Sequence, residues 1–112
     1  MVKLLSIVKS KVKNKKFTAT FLLDNGKTKK VNFGSAGMRD FTLISDENSK
    51  FFIEDPPARL IVKRNYIKRH MKDLRTEDNK IGIGPGALSM FVLWNKPTLK
   101  SSIQDYKRRF KL

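Results

Sequence analysis

The chain has 112 residues and carries 25 Lys and Arg against 10 Asp and Glu, a formal net charge of +15. A small domain needs a net charge of only about 2–8 for solubility, and like charges at this density oppose compaction. The composition therefore indicates a polyanionic partner: nucleic acid, an acidic protein surface or an anionic membrane. Cys is absent, which excludes disulfides, a thiolate nucleophile and a Cys-based zinc site.

The length predicts a single small basic domain over 1–112, mainly strands over 1–55 and mainly helices over 56–112. The two parts carry formal charges of +5 and +10, so the second is the stronger candidate for contact with a polyanion. No apolar stretch approaches the roughly 18 residues that a transmembrane span needs. The apolar stretch near the N-terminus is also too short for a secretory signal.

Residues 3–12 alternate loosely between apolar and polar side chains, which predicts a strand that runs out into a basic extension. Lys9, Lys11 and Lys13 fall on one face of it. They either protect an exposed sheet edge from aggregation or contact a ligand. Whether this strand pairs within the chain or with another chain is open.

Residues 17–33 predict a β-hairpin. A three-residue loop at 24–26 pairs Phe17 with Phe33 and joins the two apolar sets, whereas a two-residue loop would place them on opposite faces. We therefore predict a type I turn with Gly26 in the left-handed conformation and a G1 bulge. The glycine-containing stretch 34–37 is then expected to be a flexible break.

The middle of the chain is less regular. Residues 38–44 are compatible with a strand or a helix. Residues 45–50 read as a polar loop, and 51–53 as a short apolar segment that the following prolines end.

The first long helix is predicted over 57–74, with Asp55 as its N-cap. A 7–4–3 spacing of apolar residues predicts that one stripe packs inward, formed by Leu60, Ile67, Met71 and Leu74.

Two further helices follow a predicted loop at 76–80. The run 87–94 is almost fully apolar and predicts a buried helix. The last helix runs over 98–110 with Thr98 as N-cap. Its apolar stripe is predicted to be Leu99, Ile103, Tyr106 and Phe110.

These elements predict an α+β fold: an N-terminal antiparallel β-hairpin or three-stranded sheet, followed by about three packed C-terminal α-helices. The helix over 87–94 is expected at the centre, with the other two beside it. Most aromatic side chains are expected in the core, namely Phe17, Phe21, Phe33, Trp94, Tyr106 and Phe110. Phe51 and Phe52 can instead form an exposed anchor.

No catalytic constellation is present. His70 is the only histidine, so no metal set or triad can form around it. Asp40 and Asp105 are the carboxylates considered for acid–base chemistry, but Asp105 fits better as an ion-pair partner on its own helix. Glycines at 34–37 and 82–86 lack the Lys-Ser/Thr ending of a phosphate-binding loop. We predict no enzyme, no cofactor and no metal.

Basic side chains are the candidate contacts to an anionic partner. Seven lie within residues 59–75 and can neutralise several phosphates together. No nucleic-acid-binding motif accompanies them, so any such contact would follow the backbone; a solvated face with acidic protein neighbours is the alternative. The candidates are Lys9, Lys11, Lys13, Arg59, Lys63, Arg64, Lys68, Arg69, Lys72, Arg75, Lys107, Arg108 and Arg109.

Four blocks of sequence carry a resemblance to a known family: 37–42, 66–74, 93–99 and 103–110, which begin Gly-Met-Arg-Asp, Tyr-Ile-Lys-Arg-His, Leu-Trp-Asn-Lys and Ile-Gln-Asp-Tyr. Over about 34–111 the chain resembles a family of small basic uncharacterised proteins encoded by large DNA viruses of algae and protists. The resemblance implies a viral protein made in a eukaryotic host cell, in the cytoplasm or a viral factory. It carries no catalytic residues.

Charge and resemblance together lead us to expect a non-enzymatic virion structural protein, a minor capsid or capsid-associated component held to acidic neighbours. Its partners would be other virion or capsid proteins, the charge also allows nucleic acid, and no small-molecule substrate is expected. The alternative is a sequence-nonspecific DNA-binding protein that organises or condenses viral DNA through basic side chains that include the lysines at 9–16. A DNA binder should gather its charge into one continuous surface. A capsid component should scatter it among exposed apolar residues.

Overall fold

The computed structural model describes residues 1–112. The predicted α+β fold is confirmed: a three-stranded antiparallel sheet of order β1-β2-β3 is followed by the helical part of the chain. The strands are β1 (Lys3–Lys9), β2 (Lys15–Leu22) and β3 (Thr28–Ser35). None of the helices is both long and apolar enough to span a bilayer.

The β2–β3 hairpin has the predicted register, since Phe17 pairs with Phe33. Gly26 has a positive φ of 83°, and its N–H donates to the Leu23 carbonyl at 3.0 Å. The Leu23 N–H in turn donates to the Lys27 carbonyl at 2.8 Å. The alternation of apolar residues in the two strands therefore predicted the loop length correctly.

The predicted basic extension after β1 is wrong. β1 ends at Lys9, and residues 10–14 turn the chain so that β1 pairs antiparallel with β2 of the same chain. Asn14 takes a positive φ of 69° in this turn. The Ser10 hydroxyl accepts from the Val12 N–H at 3.0 Å, and such local bonds compete with strand geometry.

The segment that was open between strand and helix forms one helical turn, α1 (Phe41–Ile44). Asp40 is its N-cap and accepts from the Leu43 N–H at 3.1 Å. Gly34 lies within β3 rather than in a flexible break. It has a φ of 79°, and a Cβ there would come within 2.8 Å of the Leu93 side chain, so the sheet and the helical layer approach closely at this point.

The helical part begins with α2 (Pro56–His70), which continues into a 3₁₀ helix, Met71–Arg75. Asp55 occupies the N-cap position without a side-chain bond, and proline stands in the first turn, where its fixed φ favours helix initiation. The predicted loop at 76–80 is wrong, because α3 (Glu77–Lys80) forms a helical turn there.

The predicted buried stripe of α2 is wrong at two of its four positions, whereas Ile67 and Leu74 are half-buried. Leu60 and Met71 are 52% and 59% exposed, and no residue of α2 is fully buried. The face that packs inward instead carries Arg59, Lys63 and Tyr66, which are half-buried. Val62 of the same face also packs against the core. Long basic side chains can bury their aliphatic stems and still satisfy their charged ends, so a rule that ranks only apolar residues misses part of this face.

The remaining helices agree with their predictions. α4 (Pro85–Leu88) continues into a π-helical segment, Ser89–Leu93, and this run is buried at the centre of the molecule. α5 (Leu99–Phe110) starts at Thr98, whose hydroxyl accepts from the Ser101 N–H at 3.2 Å.

One core joins the sheet to these helices, and the predicted core aromatics all contribute to it. Phe21, Phe33, Trp94 and Tyr106 are buried, and Phe17 and Phe110 pack against them. The predicted stripe of α5 faces the same core. Phe51 and Phe52 are half-buried, so neither is a free anchor.

Candidate functional site: basic surfaces and a cationic cleft

The structure distributes the predicted basic residues over several places. Two of them point inward from α2. Arg59 donates through Nε to the Ile53 carbonyl at 2.5 Å and lies over the Phe52 ring at 4.9 Å.

Lys63 donates to the Asn95 carbonyl at 2.6 Å and lies 5.1 Å from the centre of the Phe41 ring. Burial lowers the pKa of Lys63, helped by the nearby charges of Lys96 and Arg109. These two cations fix α2 to the rest of the fold.

Arg64 and Lys68 point outward from α2. At 3.6 residues per turn, they share an arc of about 100° with the exposed apolar side chains of the helix. We call this surface the outer face of α2, formed by Leu60, Ile61, Arg64, Lys68 and Met71. Lys72 and Arg75 extend the exposed basic surface along the 3₁₀ helix.

The basic end of α5 is organised around Asp105. Arg108 and Arg109 approach its carboxylate at 2.9 and 3.4 Å, and the Asn95 amide donates to it at 2.7 Å. The predicted pairing of Asp105 on its own helix is therefore confirmed. The Asn95 and Arg108 hydrogen bonds hold the pKa of Asp105 well below its ordinary value of 3.8. Lys107 remains exposed.

Lys9, Lys11 and Lys13 lie at one end of the sheet, on the last residue of β1 and the turn that follows it. All three are exposed and none forms an ion pair. The chain reverses after Lys9, so they form one basic tip with the start of β2.

A cleft of about 530 Å³ opens beside this tip, between the sheet, the segment before α1, the end of α2 and the start of α4. Four cations line it: Lys15, Lys16, Arg39 and Arg69. The predicted contacts included Arg69. Lys15 and Lys16 belong to the lysines at 9–16 that the DNA-binding alternative included, and Arg39 was missed. The four cations come from three segments far apart in sequence, and no local periodicity brings these segments together.

A stack of three rings forms one wall of the cleft. Trp94 and Tyr66 stack with centroids 4.4 Å apart, and Tyr66 and His70 with centroids 4.2 Å apart. Trp94 is buried, whereas the His70 side chain is 41% exposed. Asp73 approaches His70 Nδ1 at 3.0 Å and orients the ring. Burial raises the pKa of Tyr66.

Asp40, considered above for acid–base chemistry, is engaged in structure. Its Oδ2 pairs with Lys16 Nζ at 2.6 Å, and its Oδ1 accepts from the Thr42 hydroxyl at 2.5 Å. Lys16 also donates to the Met38 carbonyl at 2.5 Å. The cations of the cleft that have no ion-pair partner are therefore Lys15, Arg39 and Arg69. No three His, Asp or Glu side chains converge where they could hold a metal ion.

Comparison with protein-family models finds a match over part of the chain. Residues 5–52 match the model of a family of unknown function (DUF5754). The match covers most of β1, the rest of the sheet and α1, less than half of the chain, and stops before α2. No curated protein and no solved structure matches.

Proposed function

We propose that this chain is a non-enzymatic virion structural protein, a minor capsid or capsid-associated component of a large DNA virus. The viral context comes from the sequence resemblance over about 34–111. The observation that carries the proposal is the outer face of α2, where exposed Leu60, Ile61 and Met71 alternate with Arg64 and Lys68.

This face has the chemistry of a protein-binding surface. Its apolar side chains lie at the two ends of a 12-residue stretch, about 16 Å apart along the helix axis, with basic side chains between them. Exposed apolar surface rimmed by polar side chains marks interaction sites. α2 contains no Asp or Glu, so no acidic group of the helix offsets its basic side chains. A neighbour with an apolar groove and an acidic rim is complementary to both features.

The distribution of charge favours this proposal over condensation of duplex DNA. The seven basic residues of 59–75 do not form one phosphate-facing surface, since Arg59 and Lys63 point inward. Arg108 and Arg109 are partly neutralised by Asp105. A protein that neutralises many phosphates at once needs these groups free and on one side.

The test is incorporation into particles. We would express the tagged chain in cells infected with the virus that encodes it, purify the particles and quantify the chain by mass spectrometry. The variant Leu60→Ser, Ile61→Ser, Met71→Ser should fold and be depleted at least tenfold, because it removes the apolar part of the outer face.

The matched control is Leu5→Ser, Val8→Ser, Val12→Ser, three side chains of similar exposure on the sheet side. It should enter particles at the wild-type level. A wild-type chain absent from particles would refute the structural role. Equal incorporation of both triple variants would refute docking through α2.

A further inference from the structure

The ring stack in the cleft ends on the partly exposed ring of His70. Tyr66 contacts both other rings, and Trp94 and His70 do not contact each other, so they lie on opposite faces of Tyr66. Trp94 is buried in the core. The outer face of His70 is therefore the place where one more ring can join the stack.

Cations line the cleft to which His70 belongs. Lys15, Arg39 and Arg69 line the same cleft and form no ion pair. The cleft also contains the Lys16–Asp40 pair and Asp73, so its four cations and two carboxylates leave a charge of +2 with His70 neutral. An anion is attracted to such a concave surface, and the guanidinium groups of Arg39 and Arg69 can bind phosphate in a bidentate manner.

We propose that this cleft binds a nucleotide, with the base stacked on His70 and the phosphate held by Lys15, Arg39 and Arg69. The volume of about 530 Å³ is in the usual range of about 300–1,000 Å³ for ligand sites. Stacking tolerates any base, because every base has a π-face. The site is separate from the outer face of α2, and the inference does not rest on the proposed structural role.

The same chemistry is offered by a free nucleotide and by an unpaired nucleotide of a single strand. A base in a duplex is already stacked on both sides, so a duplex should not bind in the cleft by stacking on His70. The ligands that separate these sources are adenosine 5′-monophosphate, a short oligo(deoxyadenosine) strand, and that strand in a duplex. Ribose 5-phosphate measures the contribution of the phosphate without a base.

Trp94 is the only tryptophan of the chain and belongs to the stack, so its fluorescence reports on the cleft during each titration. The variant His70→Leu covers Tyr66 but removes the ring, and should weaken binding of adenosine 5′-monophosphate or the single strand about tenfold. His70→Phe should restore it. Arg39→Ala and Arg69→Ala should weaken the binding of ribose 5-phosphate as well as that of the nucleotides.

Lys72→Ala is the matched control, since Lys72 is an exposed cation that does not line the cleft. Binding of the mononucleotide identifies a free nucleotide as ligand, and binding of the strand alone identifies unpaired nucleic acid. The proposal is overturned if no nucleotide binds, if His70→Leu binds like wild type, or if ribose 5-phosphate binds as tightly as the mononucleotide.

Discussion

At the scale of single residues, Gly82 joins α5 to the segment before α4. Its carbonyl accepts from the buried Tyr106 hydroxyl at 2.6 Å, and its φ is +90°. A Cβ at this position would overlap the Phe110 ring. The backbone conformation and the adjacent ring therefore both require glycine.

Gly82→Ala should destabilise the protein by about 2–5 kcal/mol, because it combines left-handed strain of about 1–2 kcal/mol with overpacking of about 1–3 kcal/mol. Gly26→Ala is the control: its φ is +83° but nothing lies within 4 Å of the new Cβ, so it carries the strain alone. Urea unfolding of both variants measures the difference. Equal losses would refute the contact with Phe110.

Asp105 makes stability depend on acid pH. Its pKa in the folded protein lies below the ordinary value of 3.8, so its contribution is fully present above pH 4 and is lost as pH falls through the folded pKa. Thermal unfolding should show wild type losing stability below pH 4 by more than Asp105→Asn does. Parallel pH profiles for the two proteins would contradict this assignment.

Some of these residues could be predicted from sequence and others not. Gly26 and Asp105 were identified because their partners lie within a few positions along the chain. Gly82 meets Phe110 and Tyr106 across the fold, and Lys63 meets Asn95, which no spacing rule reveals. Hydrogen bonds between residues close in sequence can be predicted from the sequence, whereas contacts between distant segments are found only in the structure.

At the scale of elements, a buried Asn79 side chain holds α3, the 3₁₀ helix and α4 together. Its Nδ2 donates to the Asp73 carbonyl and to the Thr76 hydroxyl, both at 2.8 Å. Its Oδ1 accepts from the Ala87 N–H at 2.9 Å. The polar sequence 76–80 resembled a loop because its stabilising contacts lie in this side chain and not in an apolar periodicity.

Asn79→Ala should cost about 2–4 kcal/mol, because it leaves the buried Ala87 N–H without its acceptor and removes the amide bond to the Asp73 carbonyl. Asn65→Ala, at an exposed position of α2, should change the free energy of unfolding by less than about 0.5 kcal/mol. Chemical denaturation of both variants measures this. A loss of under 1 kcal/mol for Asn79→Ala would contradict the bridging role.

The orientation of α2 gives a second test at this scale. Tyr66→Ala removes the contact to Trp94 and should cost about 2–3 kcal/mol. Leu60→Ala, in the stripe that the sequence predicted to be buried, should cost less than about 0.5 kcal/mol, the range of surface substitutions. Thermal unfolding measures both losses. A larger loss for Leu60→Ala than for Tyr66→Ala would contradict the observed orientation of α2 and support the predicted one.

At the scale of the whole molecule, the sequence predicted the architecture well and the site poorly. The alternation of apolar residues predicted β2 and β3. The apolar stripe of α5 and the apolar run 87–94 predicted the two helices that form much of the core. The cleft depends on how the sheet end meets α2, and neither the orientation of α2 nor the turn at 10–14 was predicted correctly. A site made of Lys15, Arg39 and His70 therefore could not be assembled beforehand.

The charge of +15 is spread over a molecule of 46 × 27 × 22 Å. Basic groups lie at the sheet tip, in the cleft, on the outer face of α2 and around Asp105. Such a distribution suits a component surrounded by several acidic neighbours, whose contacts would offset the self-repulsion of the isolated chain.

The most direct test of this account compares binding of duplex DNA with binding of an acidic polypeptide of matched charge over a salt series. We predict that affinity for the duplex is lost near physiological ionic strength, about 0.15 M. The acidic polypeptide should remain bound there, and Arg64→Ala with Lys68→Ala should weaken it. Tight duplex binding at that salt, weakened by the same substitutions and poorly competed by the polypeptide, would contradict the account and assign the basic surface to DNA.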